Sequence, residues 1–133
     1  MKKNIPFVKM VAAGNDFLII EARRLRRRGP HPWKAMSRAL CDRHQGVGAD
    51  GLLVLEPSIR ADVKMRVFNP DGSEAKMCGN GARCVARYLK RHYVTIETKA
   101  GILSGRVEND RVAMRMTDPT HLRANLSLRV NGK

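Results

Sequence analysis

The sequence has few aromatic residues and no long apolar run, and these two shortages argue against several classes of protein. Its 133 residues include one tryptophan, two tyrosines and three phenylalanines, too few for the stacking platform that binds single-stranded nucleic acid. No apolar run approaches the roughly 18 to 20 residues that span a bilayer. Lys9, Asn15 and Asp16 interrupt the stretch that an N-terminal signal peptide would need. We therefore predict a cytoplasmic protein without a membrane segment.

Cysteine is also scarce, and the three cysteines do not form a recognisable framework. An odd number of cysteines in a protein with no secretory signal predicts free thiols rather than disulfides. Cys78 and Cys84 have no histidine pair at zinc spacing, so no metal site is predicted. We expect Cys84 to pack in the core, because helical geometry turns it away from the face of Cys78, and we expect Cys41 to pack as well. Cys78 is then the candidate for chemistry.

Acidic residues are outnumbered by basic residues, 12 to 26, and the formal net charge at pH 7 is +14. An arginine cluster contributes to this excess: Arg23, Arg24, Arg26, Arg27 and Arg28. Such a balance fits nucleic-acid binding, acidic substrates or simply a solvated cationic surface. The 43% hydrophobic content and the chain length predict one folded domain.

Hydrophobic periodicity predicts a chain of both strands and helices. Period-two or continuous apolar runs bounded by turn residues indicate strands at residues 7–11, 17–20, 52–55, 63–68, 94–98, 102–107 and 112–116. A first helix is predicted over residues 32–44, with His44 as a C-terminal cap, the alternative being an acid/base group. Its predicted apolar face carries Trp33, Met36, Ala39 and Leu40. A second helix is predicted to begin at residues 79–81 and to continue to Leu89.

Cys78 lies directly before a run of small residues at the start of the second predicted helix. Unpaired backbone N–H groups and the helix dipole favour negative charge there, so a thiolate at Cys78 would be stabilised. Gly79, Asn80 and Gly81 leave the backbone amides accessible to an anionic ligand. Taken alone, this pattern also fits a capped helix with structural cysteines.

Four ordered strings change that balance, because together they resemble the diaminopimelate epimerases. They are GNDF at residues 14–17, RHQGVGADG at 43–51, NPDGSEAKMCGNGARC at 69–84 and ETKAG at 97–101. The resemblance implies the α+β fold of that family, a curved mixed or antiparallel sheet wrapped around a central apolar helix, here residues 82–89. It also implies an N-terminal epimerase-type domain over residues 1–119 and a tail or connecting stub over residues 120–133.

The resemblance further implies interconversion of LL- and meso-diaminopimelate without pyridoxal phosphate, metal or other cofactor. In the family one cysteine thiolate removes the α-proton while a second cysteine supplies a proton on the opposite face. Cys78 matches the first cysteine, and we expect Gly79 and Asn80 to hold the α-carboxylate. Asn15 and Asn69 match substrate-binding asparagines, the latter at the distal end. The alternative for each asparagine is a turn or cap residue that bonds its own backbone.

The sequence departs from the family pattern in several places. Residues 11–13 read Val-Ala-Ala where the family usually has a His-Gly-Leu-type lead, and Gly51 stands where some members carry a glutamine. The second cysteine belongs to a homologous C-terminal half, and the residues after Met116 run out before such a half begins. We therefore expect a chain that is inactive alone and pairs with a C-terminal half carrying that cysteine. A homodimer offering two copies of Cys78 is left open.

Two other functions are compatible with this sequence. A nucleic-acid or polyanion-binding module on the same fold would use the arginine cluster, but no readout motif is recognised, and we do not expect nucleic acid to be the partner. A proline racemase-like isomerase of the same fold is disfavoured, because the four strings are those of the diaminopimelate enzymes.

Overall fold

The structure is a computed structural model that describes residues 4–26 and 29–118. Its first element is a tight β-hairpin. β1 (Val8–Ala12) and β2 (Asn15–Glu21) pair antiparallel, and two residues, Ala13 and Gly14, join them. Both have positive φ, 50° and 81°, as in a type I′ turn, whose twist matches that of the flanking strands. Glycine adopts this region at little cost, whereas alanine is strained there. The predicted strand, turn and strand are confirmed.

A short helix, α1 (Trp33–Cys41), covers one face of the sheet. Spacing by four places its buried residues on one side: Trp33, Ser37 and Cys41. The predicted range 32–44 is too long, because Asp42 leaves the helical conformation and its carboxylate accepts the backbone N–H of His44. The prediction of His44 as the cap was wrong. The placement of Ala39 on the apolar face was also wrong, since Ala39 is exposed.

The rest of the described chain alternates strands with one more helix. β3 (Gly51–Glu56) and β4 (Val63–Phe68) are followed by the two-residue β5 (Glu74–Ala75) and by α2 (Gly79–Tyr88). β6 (Tyr93–Thr98), β7 (Gly101–Glu108) and β8 (Arg111–Arg115) lie at the last three predicted strands and form an antiparallel meander. β5 was not predicted, since two residues show no periodicity. In this part of the chain no helix is long and apolar enough to cross a membrane.

Among the described residues, eight strands form one mixed sheet in the order β1-β2-β3-β4-β6-β7-β8, with β5 beside β4. β2 is parallel to β3 and β4 is parallel to β6, while the other pairs are antiparallel. α2 packs against β1 and β2 near one edge and against β7 and β8 at the other, so the sheet curls around it. The predicted α+β fold, a curved sheet around a central apolar helix, is confirmed. The predicted tail, residues 120–133, lies outside the described residues.

Two layers of buried side chains hold the helices to the two faces of the sheet. The inner layer joins Ala82 and Val85 of α2 to strand residues such as Leu53. The outer layer joins Trp33 of α1 to neighbours such as Val54. Successive residues of a strand point to opposite faces, which is why adjacent residues serve different layers. Each fully buried aliphatic side chain contributes roughly 1.5–3 kcal/mol, so the inner layer fixes α2 firmly inside the sheet.

Candidate active site

Cys78 caps the N-terminus of α2. Its backbone is extended (φ −143°, ψ 120°), and its Sγ accepts a hydrogen bond from the backbone N–H of Gly81 at 3.4 Å. A helix start carries unpaired N–H groups and the positive end of the dipole, and no acidic residue occupies the first turn of α2. The thiol itself is partly buried. The predicted position of Cys78 at a helix start is confirmed, while its catalytic role stays a prediction.

Small residues allow the first turn of α2 to approach the sheet. A Cβ on Gly81 would lie 2.9 Å from Cδ2 of the fully buried Leu53. A Cβ on Gly79 would lie 3.3 Å from Cε of Met116. Between them, Oδ1 of Asn80 accepts a hydrogen bond from Nη1 of Arg83 at 3.0 Å. Because the Asn80 side chain is engaged within α2, the backbone amides of this turn are the groups best placed to meet an anion.

The other two cysteines are core residues. Cys41 and Cys84 are 2% and 3% exposed, and burial raises the pKa of each thiol to about 11. Their predicted packing role is confirmed, and all three cysteines are free thiols. Within residues 4–26 and 29–118, no group of three or more histidine, cysteine or acidic side chains is arranged to hold a metal ion.

The sheet brings both candidate asparagines to one of its ends. Asn15 begins β2, and two residues later Phe17 pairs with Gly51 at the start of the parallel β3. Phe68, at the end of β4, pairs with the second residue of β3, and Asn69 follows directly. The start of β2, the start of β3 and the end of β4 therefore meet at the same end of the sheet.

β5 carries the chain from this end of the sheet to Cys78. Ala75 pairs with β4, and Cys78 follows three residues later. Cys78 packs against the inner core layer, as do Met10 and Ala12 of β1, and Ala12 is the register partner of Asn15. The fold thus gathers Cys78, the Asn15 hairpin and the Asn69 turn in one region. Among the described residues, no hydrogen bond joins Cys78 to either asparagine.

The side chain of Asn69 is engaged in its own turn. Its Nδ2 donates to Oγ of Ser73 at 3.0 Å, and the backbone carbonyl oxygen of Asn69 accepts the N–H of Gly72 at 2.9 Å. Gly72 has φ 91°, and a Cβ there would lie 3.0 Å from the carbonyl oxygen of Lys34 in α1. The Asn69 turn is therefore braced against α1, and the side chain of Asn69 bonds the Ser73 side chain within that turn rather than its own backbone. A role in substrate binding stays a prediction.

Sequence reasoning missed an ionic cluster that ties two of the four strings together. Nη1 and Nη2 of Arg43 donate to the two carboxylate oxygens of Asp16 at 3.1 and 2.8 Å, and Nη2 also reaches Asp50 at 3.0 Å. Nζ of Lys9 lies 3.3 Å from Asp16. The Arg43 guanidinium holds the pKa of Asp16 well below its usual range. Asp16 stands in GNDF, and Arg43 and Asp50 stand in RHQGVGADG, so the strings contained the residues of the cluster. Their spacing in the sequence does not show that they pair.

A second missed cluster surrounds Glu74 in β5. Nε and Nη2 of Arg66 donate to its two oxygens at 2.9 and 3.1 Å, and Nζ of Lys99 lies 2.8 Å from Oε2. Nη1 of Arg66 reaches Glu56 at 3.2 Å. The Glu74 side chain is 9% exposed, and Arg66, aided by Lys99 against the opposing effect of burial, lowers its pKa to about 2. Glu74 and Lys99 belong to two of the four strings, NPDGSEAKMCGNGARC and ETKAG.

The described part of the arginine cluster makes internal ion pairs. Nε of Arg23 and Nε of Arg24 lie 3.1 and 2.9 Å from Oε2 of Glu21, whose Oε1 accepts the Tyr88 hydroxyl at 2.6 Å. Burial of Glu21 opposes ionisation, but the hydrogen bonds from Tyr88 and Arg23 outweigh it and lower the pKa. Arg27 and Arg28 lie outside the described residues.

A groove of about 1210 Å³ runs beside α1, between Arg26 and Phe68. Cys78 and the two asparagines are not among the residues that line it. The groove belongs to the outer face of the sheet, and the candidate site lies at the inner face, so the two are separate features.

Comparison with known protein families gives a match over most of the chain. The family described as diaminopimelate epimerase matches residues 7–122. The diaminopimelate epimerase of Caldanaerobacter subterraneus subsp. tengcongensis is 48% identical over 114 residues, which cover 80% of this chain and 40% of that protein. That of Desulforudis audaxviator is 44% identical over 133 residues, covering 92% and 47%. The chain thus spans less than half the length of these curated relatives.

Solved structures share the fold. A phenazine biosynthesis protein of the PhzF family from Bacillus anthracis superimposes with a TM-score of 0.59 at 26% identity, covering 85% of this chain and 40% of that one. A probable proline racemase from Agrobacterium radiobacter K84 gives a TM-score of 0.65 at 19% identity, covering 85% and 42%.

Proposed function

The chain belongs to the diaminopimelate epimerase family, and we propose that it is the N-terminal catalytic half of a cofactor-independent epimerase that interconverts LL- and meso-diaminopimelate. The observation that carries this proposal is the thiol of Cys78 at the N-cap of α2. The substrate is an intermediate of lysine and peptidoglycan synthesis, so the proposal places the chain in the cytoplasm.

Cys78 acts in this proposal as a thiolate that removes the α-proton. An α-proton beside a carboxylate is only weakly acidic, so the reaction needs fixed dipoles aimed at the developing charge. The backbone amides of Gly79 and Asn80 have no partner within the helix by position, since they belong to its first turn. They hold the α-carboxylate and lower the cost of the carbanion. The N–H of Gly81 is already given to Sγ of Cys78 and stabilises the thiolate.

Asn15 and Asn69 bind the rest of the substrate in this proposal. Both stand at the end of the sheet from which the chain enters α2. The Asn69 amide is held by Ser73, so its other hydrogen-bonding groups are presented in a fixed direction. An amide offers both donors and acceptors, which suits the ammonium and carboxylate of a distal amino-acid centre.

A second thiol must come from outside the described residues. Inversion takes a proton from one face of the α-carbon and delivers another to the opposite face, and one fixed thiol does not serve both faces. Burial raises the pKa of Cys41 and Cys84 to about 11, and both belong to the core, so neither is suited to the role. We propose that a C-terminal half supplies the second cysteine and that the chain alone is inactive. A homodimer with two copies of Cys78 is the alternative arrangement.

The test is exchange of the substrate α-proton in deuterated buffer, followed by NMR with LL- and meso-diaminopimelate. Five samples are compared: the chain alone, the Cys78→Ala chain alone, the chain mixed with a separately produced C-terminal half, and the same mixture made with Cys78→Ala or with Cys84→Ala. We expect exchange only in the mixtures that retain Cys78, with Cys84→Ala as the matched control. Interconversion of LL- and meso-diaminopimelate by the chain alone, lost in its Cys78→Ala variant, would replace the half-enzyme with the homodimer. Equal exchange with Cys78→Ala in the mixture would contradict the proposal.

A further inference from the structure

The segment that enters Cys78 is attached to the sheet by very little backbone. One edge of β4 changes its neighbour along its length. At Val63 and Lys64 it pairs with β6, whereas at Val67 and Phe68 it pairs with β5. β5 contributes two residues to this pairing, and the chain then leaves the sheet to reach α2. Two backbone pairs alone give weak control over where Cys78 lies.

An ionic clamp on Glu74 reinforces this attachment. Arg66 of β4 grips both carboxylate oxygens at 2.9 and 3.1 Å, a bidentate geometry that fixes direction as well as distance. Lys99 adds a contact of 2.8 Å from the turn between β6 and β7. The three residues therefore join β4, β5 and that turn where the sheet divides. The Glu74 side chain is only 9% exposed, so its carboxylate is shielded from water, while Lys99 closes the clamp from a half-exposed position.

The ETKAG string is explained by the same clamp. Oγ1 of Thr98 donates to the carbonyl oxygen of Gly101 at 2.7 Å and accepts the N–H of Ala100 at 3.2 Å. Gly101 has φ 128°, in the region that favours glycine. These contacts fix the turn that carries Lys99. None of these contacts involves Cys78 or the candidate asparagines. The ETKAG string therefore acts on the site through the contact of Lys99 with Glu74.

We propose that Glu74 is a positioning residue for the Cys78 thiol, held by Arg66 and Lys99, and that this clamp keeps Sγ against the N-terminus of α2. The inference deepens the proposed function, on which its catalytic meaning rests. Glu74 stands four residues before Cys78 in the chain. When the clamp is released, the short segment between them loosens, the contact of Sγ with the Gly81 N–H weakens, and the thiolate loses part of its stabilisation.

The test measures the pH at which Cys78 becomes reactive, using iodoacetamide and mass mapping of the labelled peptide in the folded chain without substrate or partner. Glu74→Gln and Lys99→Met each release the clamp but change the local charge in opposite ways. Positioning predicts that both raise the midpoint of the labelling profile by roughly half a unit to one unit. A direct charge effect predicts opposite shifts, because loss of a carboxylate lowers the midpoint and loss of an ammonium raises it.

Two control variants complete the design. Lys99→Arg keeps the cation, and we expect the wild-type midpoint. Glu56→Gln removes the other carboxylate of Arg66 without touching β5, and we expect no shift. Opposite shifts, or unchanged midpoints with only a lower free energy of unfolding, would overturn the proposal. Lys99 is half-exposed, so Lys99→Met tests the idea even if Glu74→Gln folds poorly. Because no epimerisation is measured, the outcome is independent of whether the proposed function holds.

Discussion

Sγ of Cys78 lies 3.4 Å from the backbone nitrogen of Gly81, so a sulfur atom occupies the place where a helix usually has an oxygen cap. Sulfur is a weak acceptor, and the N–H of Gly81 is therefore poorly satisfied. The helix start at Cys78 is therefore less stable than one with an oxygen cap, at the position where the proposed reaction needs a thiol.

Replacing Cys78 with serine should therefore stabilise the protein while removing its chemistry. A serine hydroxyl caps a helix better than a thiol, and we expect Cys78→Ser to raise the free energy of unfolding by about 0.5–1 kcal/mol. Cys78→Ala, which has no cap, should lower it slightly. Urea unfolding followed by circular dichroism measures both. Equal destabilisation by serine and alanine would show that Sγ does not act as the cap.

The three cysteines should differ sharply in reactivity. Cys41 and Cys84 are buried, and their thiol pKa values are raised to about 11, so very little thiolate exists at neutral pH. Cys78 is partly buried at a helix start. We expect iodoacetamide at pH 7.5 to label Cys78 at least about tenfold faster, with all three labelled alike in denaturant. Labelling of Cys78 no faster than that of Cys84 would contradict the thiolate argument.

The sequence predicts those parts of the fold that depend on local periodicity. Apolar residues at helical spacing locate α2, and alternation locates β4 and the meander. Ala39 shows the limit: an alanine carries too little hydrophobic surface to decide which side of a short helix is buried, and Ser37 takes the inner position instead.

Contacts between distant segments could not be predicted in the same way. Nothing in the local pattern pairs Arg43 with Asp16, 27 residues away, or Lys99 with Glu74. Both depend on which strands are neighbours, and the parallel pairing of β2 with β3 is decided by the packing of the whole sheet. The resemblance identified the strings that contain these residues but gave them no role.

The β1–β2 turn contains a strained alanine that can be relieved. Ala13 has φ 50°, where the side chain crowds the backbone at a cost of roughly 1–2 kcal/mol, while glycine avoids that cost but loses more conformational entropy on folding. We expect Ala13→Gly to stabilise the chain by about 0.5–1 kcal/mol. Asn109 also has φ 50°, but asparagine tolerates this region, so Asn109→Gly should change little. Thermal unfolding of both variants checks the difference; an equal response would mean that the strain at Ala13 is negligible.

Binding of the arginine cluster to nucleic acid should be weak and governed by general charge. Arg23 and Arg24 are already paired with Glu21. We expect binding that is insensitive to sequence and falls steeply with salt. Neutralising Arg26, Arg27 and Arg28 together should weaken it about as much as neutralising Lys34, Arg60 and Lys90, the matched control. Tight, sequence-selective binding at physiological salt, lost only in the arginine variant, would favour the polyanion-binding alternative.

Acid should destabilise the protein partly through Glu74. Its pKa falls from 4.5 to about 2 on folding, mainly because Arg66 donates to the charged carboxylate. A depressed folded-state pKa contributes stability that is fully present above the unfolded value and is lost as the pH falls from about 4.5 towards 2. For a side chain this well shielded, the shift corresponds to about 2–3 kcal/mol at neutral pH.

Glu74→Gln should therefore be less stable than the wild type by about 2–3 kcal/mol at pH 7, and the difference should shrink towards zero near pH 2. Urea unfolding at a series of pH values gives the curve directly. Glu108→Gln is the control: the Glu108 side chain is 68% exposed and lies 4.0 Å from Arg106. An exposed ion pair contributes little to the free energy of unfolding, so this variant should match the wild type. A stability difference between Glu74→Gln and wild type that stays constant from pH 7 to pH 2 would mean that folding does not lower the pKa of Glu74. Only a group that changes its proton binding on folding can make the free energy of unfolding depend on pH.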